Sequence, residues 1–110
     1  MTSRKAGLGE LESLIMLAVL RLEGDASVGR IREEVAKRGG RPLSRGATYA
    51  TVARLERKGF LSLSIEDAAQ GGRAVHHFAV TKRGLETLRT AQQHLIRMRA
   101  GLESILKVAK

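Results

Sequence analysis

Glycine residues divide this 110-residue chain into short segments, and that division constrains its fold more than any other feature of the sequence. Helix-like and strand-like stretches are interrupted at Gly24, Gly39, Gly40, Gly59, Gly71 and Gly72. Glycine adopts the left-handed backbone that ends helices and makes tight turns. The sequence therefore predicts several short elements packed into one small domain.

The segments before residue 60 have the periodicity of three helices. Apolar residues recur at three- and four-residue steps from Leu8 to Leu22. A second helix is expected to follow a capping residue, either Asp25 or Ser27, and to end at the glycine pair. A third is expected from the N-cap Ser44 to about Lys58.

Two strands and a last helix are expected after residue 60. Phe60 to Ile65 alternates apolar and polar residues, and Val75 to Val80 is the expected return strand of a hairpin. Thr81 is a candidate N-cap for a last helix that continues almost to Lys110.

Helix, helix, helix and hairpin is the order of a winged helix-turn-helix. The predicted fold class is therefore mostly α, of the α+β type, with three helices and a two-stranded wing. We expect this DNA-binding domain over residues 1–80 and a long C-terminal dimerisation helix over residues 81–110.

The net charge of +9 predicts an anionic partner, with nucleic acid favoured over an acidic membrane. The excess lies in residues 41–60, where five basic side chains face only Glu56, and in residues 81–110, with seven basic side chains and two acidic ones. The chain has no cysteine, which excludes disulfides, thiolate zinc sites and cysteine nucleophiles.

The third helix is the predicted DNA reader. Thr48, Val52 and Leu55 share a face that should pack on the first two helices. The other face combines small residues with cations, so that the backbone can approach base edges while arginines reach bases or phosphates. The predicted DNA-binding residues here are Ser44, Arg45, Gly46, Ala47, Tyr49, Ala50, Arg54, Arg57 and Lys58. The alternative is that the small residues pack against another helix.

The tip of the hairpin is a second candidate contact with DNA. Gly72 and Arg73 would form a flexible wing that touches phosphate or enters the minor groove. The alternative is an ordinary glycine-rich turn with one solvated arginine.

The last helix is the predicted dimerisation element. An apolar seam with coiled-coil spacing is formed by Leu88, Ala91, Leu95, Met98, Leu102 and Ile105. We expect a two-fold homodimer in which the N- and C-terminal helices intertwine, with a lid on a monomer as the alternative. This segment contains no Trp or Phe, which argues against membrane binding.

Catalysis, metal binding and a cofactor are not expected. His76 and His77 are neighbours on a strand and point to opposite faces, so that they cannot share a metal ion. The longest apolar run, Leu14 to Leu20, has seven residues, against roughly 18–20 for a bilayer span. Since no secretory pattern precedes it, we expect a cytoplasmic protein.

Several segments together resemble the PadR-type winged-helix transcriptional regulators of bacteria. They are Leu8-Gly9-Glu10-Leu11-Glu12, Ile31-Arg32-Glu33-Glu34-Val35, Gly40-Arg41-Pro42-Leu43-Ser44, Gly46 to Val52, Gly71-Gly72-Arg73 and Thr81…Gly84. The resemblance implies a homodimeric transcriptional repressor that binds double-stranded DNA. It also implies that a small effector molecule binds near the dimer interface. Residues 81–110 contain no Phe, Trp or Tyr, which argues against a flat aromatic effector.

The sequence therefore predicts a dimeric repressor that binds a pseudo-palindromic operator. The competing hypothesis is a winged-helix protein-interaction module that does not bind DNA.

Overall fold

The computed structural model describes residues 8–66 and 75–109, and within them the predicted order of three helices, a hairpin and a further helix is confirmed. The elements are α1 (Glu10–Leu22), α2 (Val28–Lys37), α3 (Arg45–Arg57), β1 (Leu61–Glu66), β2 (Val75–Val80), α4 (Lys82–Arg99) and α5 (Glu103–Leu106). This arrangement is a winged helix, as predicted. None of the helices in these two ranges is long and apolar enough to cross a membrane.

Side-chain caps define where three of the helices begin. The hydroxyl of Ser27 accepts a hydrogen bond from the Arg30 N–H of α2, at 3.3 Å. Ser44 caps α3 by accepting from the Ala47 N–H at 3.0 Å, and Thr81 caps α4 in the same way. Of the two candidates for α2, the cap is thus Ser27, and the predictions for Ser44 and Thr81 are confirmed.

The hydrophobic core lies where α1, α2 and α3 meet the inner end of the hairpin. Its side chains come from every helix up to α4 and from both strands. The core is formed by Ile15, Met16, Ala18, Val19, Ala26, Ile31, Val35, Val52, Leu55, Phe60, Leu61, Phe78 and Leu88. The inner face of α3 is buried in it, as its spacing predicted.

The two strands form an antiparallel hairpin in the register Leu61↔Val80 to Glu66↔Val75. Backbone hydrogen bonds attach the inner end of this hairpin to the helices: the Phe78 N–H donates to the Ala26 carbonyl at 2.9 Å, and the Thr81 N–H donates to the Phe60 carbonyl at 3.0 Å. The base of the wing therefore has a fixed direction relative to α3.

The prediction of a single C-terminal helix is wrong. α4 ends at Arg99, and the one-turn helix α5 follows after Gly101, whose φ is +87°. Glycine has a low helix propensity and readily adopts this conformation, and the Gly101 N–H donates to the Glu103 carboxylate at 3.0 Å. Leu102 and Ile105 therefore do not continue the apolar seam of α4.

Leu88 also has a different role from the predicted one. Its side chain is buried among the core residues of its own chain. The start of α4 lies against Phe60, so the first turns of this helix complete the core instead of forming a dimer seam. The apolar stripe lies on α4 with the predicted spacing, but its first part is buried within the chain.

We predict that Gly84→Ala strongly destabilises the fold. A Cβ at this position of α4 would overlap the backbone carbonyl of Phe60, which also binds Thr81 and cannot easily move. The expected loss is about 3 kcal/mol in the free energy of unfolding, measured by urea denaturation. The control is Gly29→Ala in α2, where the added Cβ meets open space. This substitution should stabilise the fold by about 0.5 kcal/mol, because alanine has a higher helix propensity than glycine. Equal effects of the two variants would contradict this account of the packing.

Candidate nucleic-acid interface

The outer face of α3 is a surface of small side chains with cations at its ends. Four residues of this helix are buried: Thr48, Thr51, Val52 and Leu55. Its exposed residues include Arg45, Gly46, Ala47, Tyr49, Ala50, Arg54 and Arg57, and the N-cap Ser44 is exposed as well. In this chain the small residues thus face outward instead of packing on another helix, and Tyr49 stands beside them with about half of its surface exposed.

Two threonines allow the inner face of α3 to be buried without unpaired hydroxyls. The Thr48 hydroxyl donates to the Ser44 carbonyl at 2.9 Å, and the Thr51 hydroxyl donates to the Ala47 carbonyl at 2.9 Å. A buried hydroxyl with no partner would cost free energy. Both hydroxyls of the inner face therefore have hydrogen-bond partners in the backbone four residues earlier and need none from the core.

A buried carboxylate links α1 to the last turn of α3. Glu12 is only 6% exposed. Its Oε1 accepts from the Gly9 N–H at 2.9 Å, while its Oε2 accepts from Arg54 Nε at 3.2 Å and from Lys58 Nζ at 2.9 Å. We call Glu12, Arg54 and Lys58 the carboxylate link.

Glu12 is not among the functional residues predicted from the sequence. A signal for it was present, because Glu12 stands three residues before Ile15 and so lies on the buried face of α1. It also stands three residues after the N-cap Gly9, where a glutamate reaches back to the backbone. The partners of Glu12 are 42 and 46 residues away in the chain, and only the fold brings them there.

The cations of α3 fall into two groups. Arg54 and Lys58 lie in the carboxylate link, yet their side chains remain 46% and 34% exposed. Arg45 and Arg57 are exposed, and within residues 8–66 and 75–109 neither of them has an ion-pair partner. The predicted DNA-binding cations thus include two that are anchored and two that are not.

The pKa of Glu12 is lowered overall. Burial by itself raises the pKa of this carboxyl, but the hydrogen bonds from Gly9, Lys58 and Arg54 and the charge of Lys58 lower it by more. The carboxylate is therefore ionised at neutral pH, and the carboxylate link holds two positive charges and one negative charge.

The hairpin tip with Gly72 and Arg73 lies outside the described residues, so the candidate wing contact stays a prediction.

Nearer the core, His77 lies between two carboxylates: its Nδ1 is 3.4 Å from Glu66 and its Nε2 is 3.9 Å from Asp25. No group of three or more His, Asp or Glu side chains in the described part of the chain could hold a metal ion.

The second half of α4 and all of α5 expose apolar side chains. Among the predicted dimerisation residues, Leu95, Met98, Leu102 and Ile105 are exposed and Ala91 is half-buried. On α1, Leu17 and Leu20 are also exposed, and both line an apolar groove of about 500 Å³ between α1 and α2. Arg21, Glu23, Glu34 and Arg38 supply its charged groups.

Comparison with known proteins identifies the fold. No protein-family model matches the chain, and no curated protein matches it. Solved structures do match, and three of them are a PadR-like transcription factor from Bacteroides fragilis, a PadR family transcription regulator from Clostridium difficile and a PadR-like transcriptional regulator from Bacillus cereus.

The likeness to these three structures extends over most of each chain. The Bacteroides protein has a TM-score of 0.71 and 23% identity, over 86% of this chain and 88% of its own. For the Clostridium protein the values are 0.70 and 18%, over 89% and 98%, and for the Bacillus protein 0.71 and 19%, over 90% and 93%. The chain therefore has the winged-helix fold of the PadR-like regulators.

We predict that the stabilising effect of Glu12 decreases in acid. Since the pKa of Glu12 is lower in the folded state, its contribution is complete above the ordinary glutamate pKa of 4.5 and is lost as the pH falls through the folded-state pKa. At pH 7, Glu12→Gln should therefore cost about 1–3 kcal/mol in the free energy of unfolding. Nearer pH 3 the difference from wild type should shrink.

Urea denaturation at both pH values, at one protein concentration, measures this difference. The control is Glu10→Gln, two residues away on α1, because the Glu10 side chain is 84% exposed and should contribute little at either pH. A cost of Glu12→Gln that is the same at both pH values would contradict the prediction.

Proposed function

We propose that this protein is a sequence-specific transcriptional regulator of double-stranded DNA, acting in the cytoplasm as a dimeric repressor. The observation that carries the proposal is the outer face of α3, where exposed small residues lie between cations on a helix whose other face is buried. The proteins of like fold are described as transcription regulators, which supports the same function.

The proposed DNA contacts follow from the order of residues along α3. Near the N-cap Ser44, Gly46, Ala47 and Ala50 let the backbone approach base edges in the major groove, with Arg45 and Tyr49 beside them. At the other end, Arg54, Arg57 and Lys58 would contact phosphates. The wing residues Gly72 and Arg73 would contact the flanking backbone or the minor groove.

The proposed homodimer buries the apolar surface of α1, α4 and α5. Leu17 and Leu20 of α1 and Leu95, Met98 and Ile105 of the C-terminal region are exposed in the single chain, and burial of such side chains drives association. A two-fold dimer would present two α3 helices to the two halves of a pseudo-palindromic operator. The groove between α1 and α2 is our candidate site for a small apolar effector, since Leu17 and Leu20 line it and also belong to this surface.

We predict that Arg57→Ala weakens binding to duplex DNA by about fivefold to tenfold. The slope of the logarithm of the binding constant against the logarithm of the salt concentration should decrease in magnitude by about one, because one phosphate contact is lost. Arg57 is exposed at the end of α3 and has no ion-pair partner within the described ranges, so the loss reports on DNA contact. Fluorescence anisotropy over a series of salt concentrations measures both quantities.

The control is Arg97→Ala, which removes the same charge from the far end of α4 and should change affinity far less. Equal effects of the two substitutions would show that α3 is not the reader. No binding of wild type to random duplex DNA at low salt would instead favour a protein-interaction module.

We predict that the wild-type chain sediments as a dimer at micromolar concentration and that Met98→Glu shifts it toward the 12.0 kDa monomer. Met98 is 78% exposed in the single chain, and a buried, unpaired glutamate in its place would oppose association. Analytical ultracentrifugation measures the mass. Ile65→Glu on the wing is the control, because Ile65 is also exposed but lies outside the proposed interface. A wild-type monomer would refute the dimer.

A further inference from the structure

The carboxylate link joins a core helix to the proposed phosphate-binding end of α3. Glu12 is buried on α1, whereas Arg54 and Lys58 lie at the C-terminal end of α3 and remain partly exposed. We propose that Glu12 is a positioning residue for DNA binding, which holds the side chains of Arg54 and Lys58 in one orientation toward phosphate. This inference rests on the proposed function.

Both cations keep hydrogen-bond donors free for phosphate. A guanidinium has five N–H donors, and Arg54 directs its Nε to Glu12 and Nη2 to the Thr51 hydroxyl at 3.5 Å. Of the three Nζ donors of Lys58, the link with Glu12 uses one. Each side chain is thus anchored on its inner side while its remaining donors are available on the exposed side.

Holding these side chains before DNA arrives lowers the entropy lost on binding. Long cationic side chains lose much rotamer freedom when they are fixed on a partner. Arg54 has two partners in the free protein, Glu12 and Thr51, and its guanidinium plane is therefore already set. A planar group in a set orientation is suited to bidentate contact with phosphate oxygens.

The negative charge of Glu12 acts in the opposite direction. It compensates one of the two positive charges of the link, and a carboxylate near DNA repels phosphate. If Glu12 acted only through its charge, removing that charge would strengthen DNA binding. If it positions the cations, removing it would weaken binding. The sign of the change in affinity therefore separates the two roles.

The experiment compares Glu12→Gln with Glu10→Gln, which removes the same charge from an exposed position on α1. Glutamine keeps an oxygen that can accept the Gly9 N–H, so the start of α1 is retained. The dissociation constant for duplex DNA is measured by anisotropy at several salt concentrations, well below the unfolding temperature of each variant. Glu12→Gln should bind about tenfold more weakly than Glu10→Gln.

A double-mutant comparison tests whether Glu12 acts through its partners. With Arg54→Ala and Lys58→Ala already present, adding Glu12→Gln should change the affinity by less than about twofold. A purely structural role would leave the loss in place, because the altered core would still disturb α3. A tenfold loss that persists in this background would therefore overturn the inference.

A conservative pair of variants tests the same idea if Glu12→Gln does not fold. Arg54→Lys keeps the charge but cannot bind Glu12, Thr51 and a phosphate with one planar group. It should lose about tenfold in affinity, whereas Arg57→Lys, at a position outside the carboxylate link, should lose less than about threefold. Equal small losses in both would overturn the inference.

The outcomes separate failure of this inference from failure of the proposed function. If wild type binds DNA and Arg57→Ala weakens it, but Glu12→Gln binds as tightly as Glu10→Gln, only the positioning role is refuted. If wild type does not bind duplex DNA at low salt, the proposed function fails and this inference fails with it.

Discussion

The packing of the inner face of α3 on α1 and α2 is the constraint on which the other features depend. Thr48, Val52 and Leu55 bury one side of this helix, and the hydroxyl of Thr48 is satisfied within the helix itself. Because that side is committed to the core, the opposite side must face outward. The outward direction of the small-residue face and of Arg57 follows from this contact.

The carboxylate link extends the same constraint to the charged end of α3. A buried carboxylate is costly unless it is paired and hydrogen-bonded, and both oxygens of Glu12 have partners. The requirement to satisfy Glu12 therefore determines where Arg54 and Lys58 point. The stability of the fold and the placement of the proposed phosphate contacts therefore depend on the same few atoms. The net charge of residues 41–60 does not show this, because Glu12, which pairs with Arg54 and Lys58, lies outside that segment.

The C-terminal region illustrates why an apolar stripe cannot be assigned from spacing alone. Leu88 and Met98 both belong to the predicted seam, but Leu88 is buried in its own chain and Met98 is exposed. Periodicity shows that one side of a helix will be covered, and it does not show by what. Gly101 was visible in the sequence, yet the heptad spacing across it still predicted one helix where the structure has two. A count of apolar positions does not take the glycine into account, although its positive φ ends the helical conformation there.

Local chemistry let the sequence by itself determine the order of the elements, the caps Ser44 and Thr81, the inner face of α3 and the winged-helix class. Each of these depends on neighbours within a few residues, and so each can be recognised along the chain. The tertiary structure alone decided the partners of Glu12, the close approach of Gly84 to Phe60 and the division of the C-terminal stripe between core and surface. These contacts join residues far apart in sequence, and they exist only once the helices have packed.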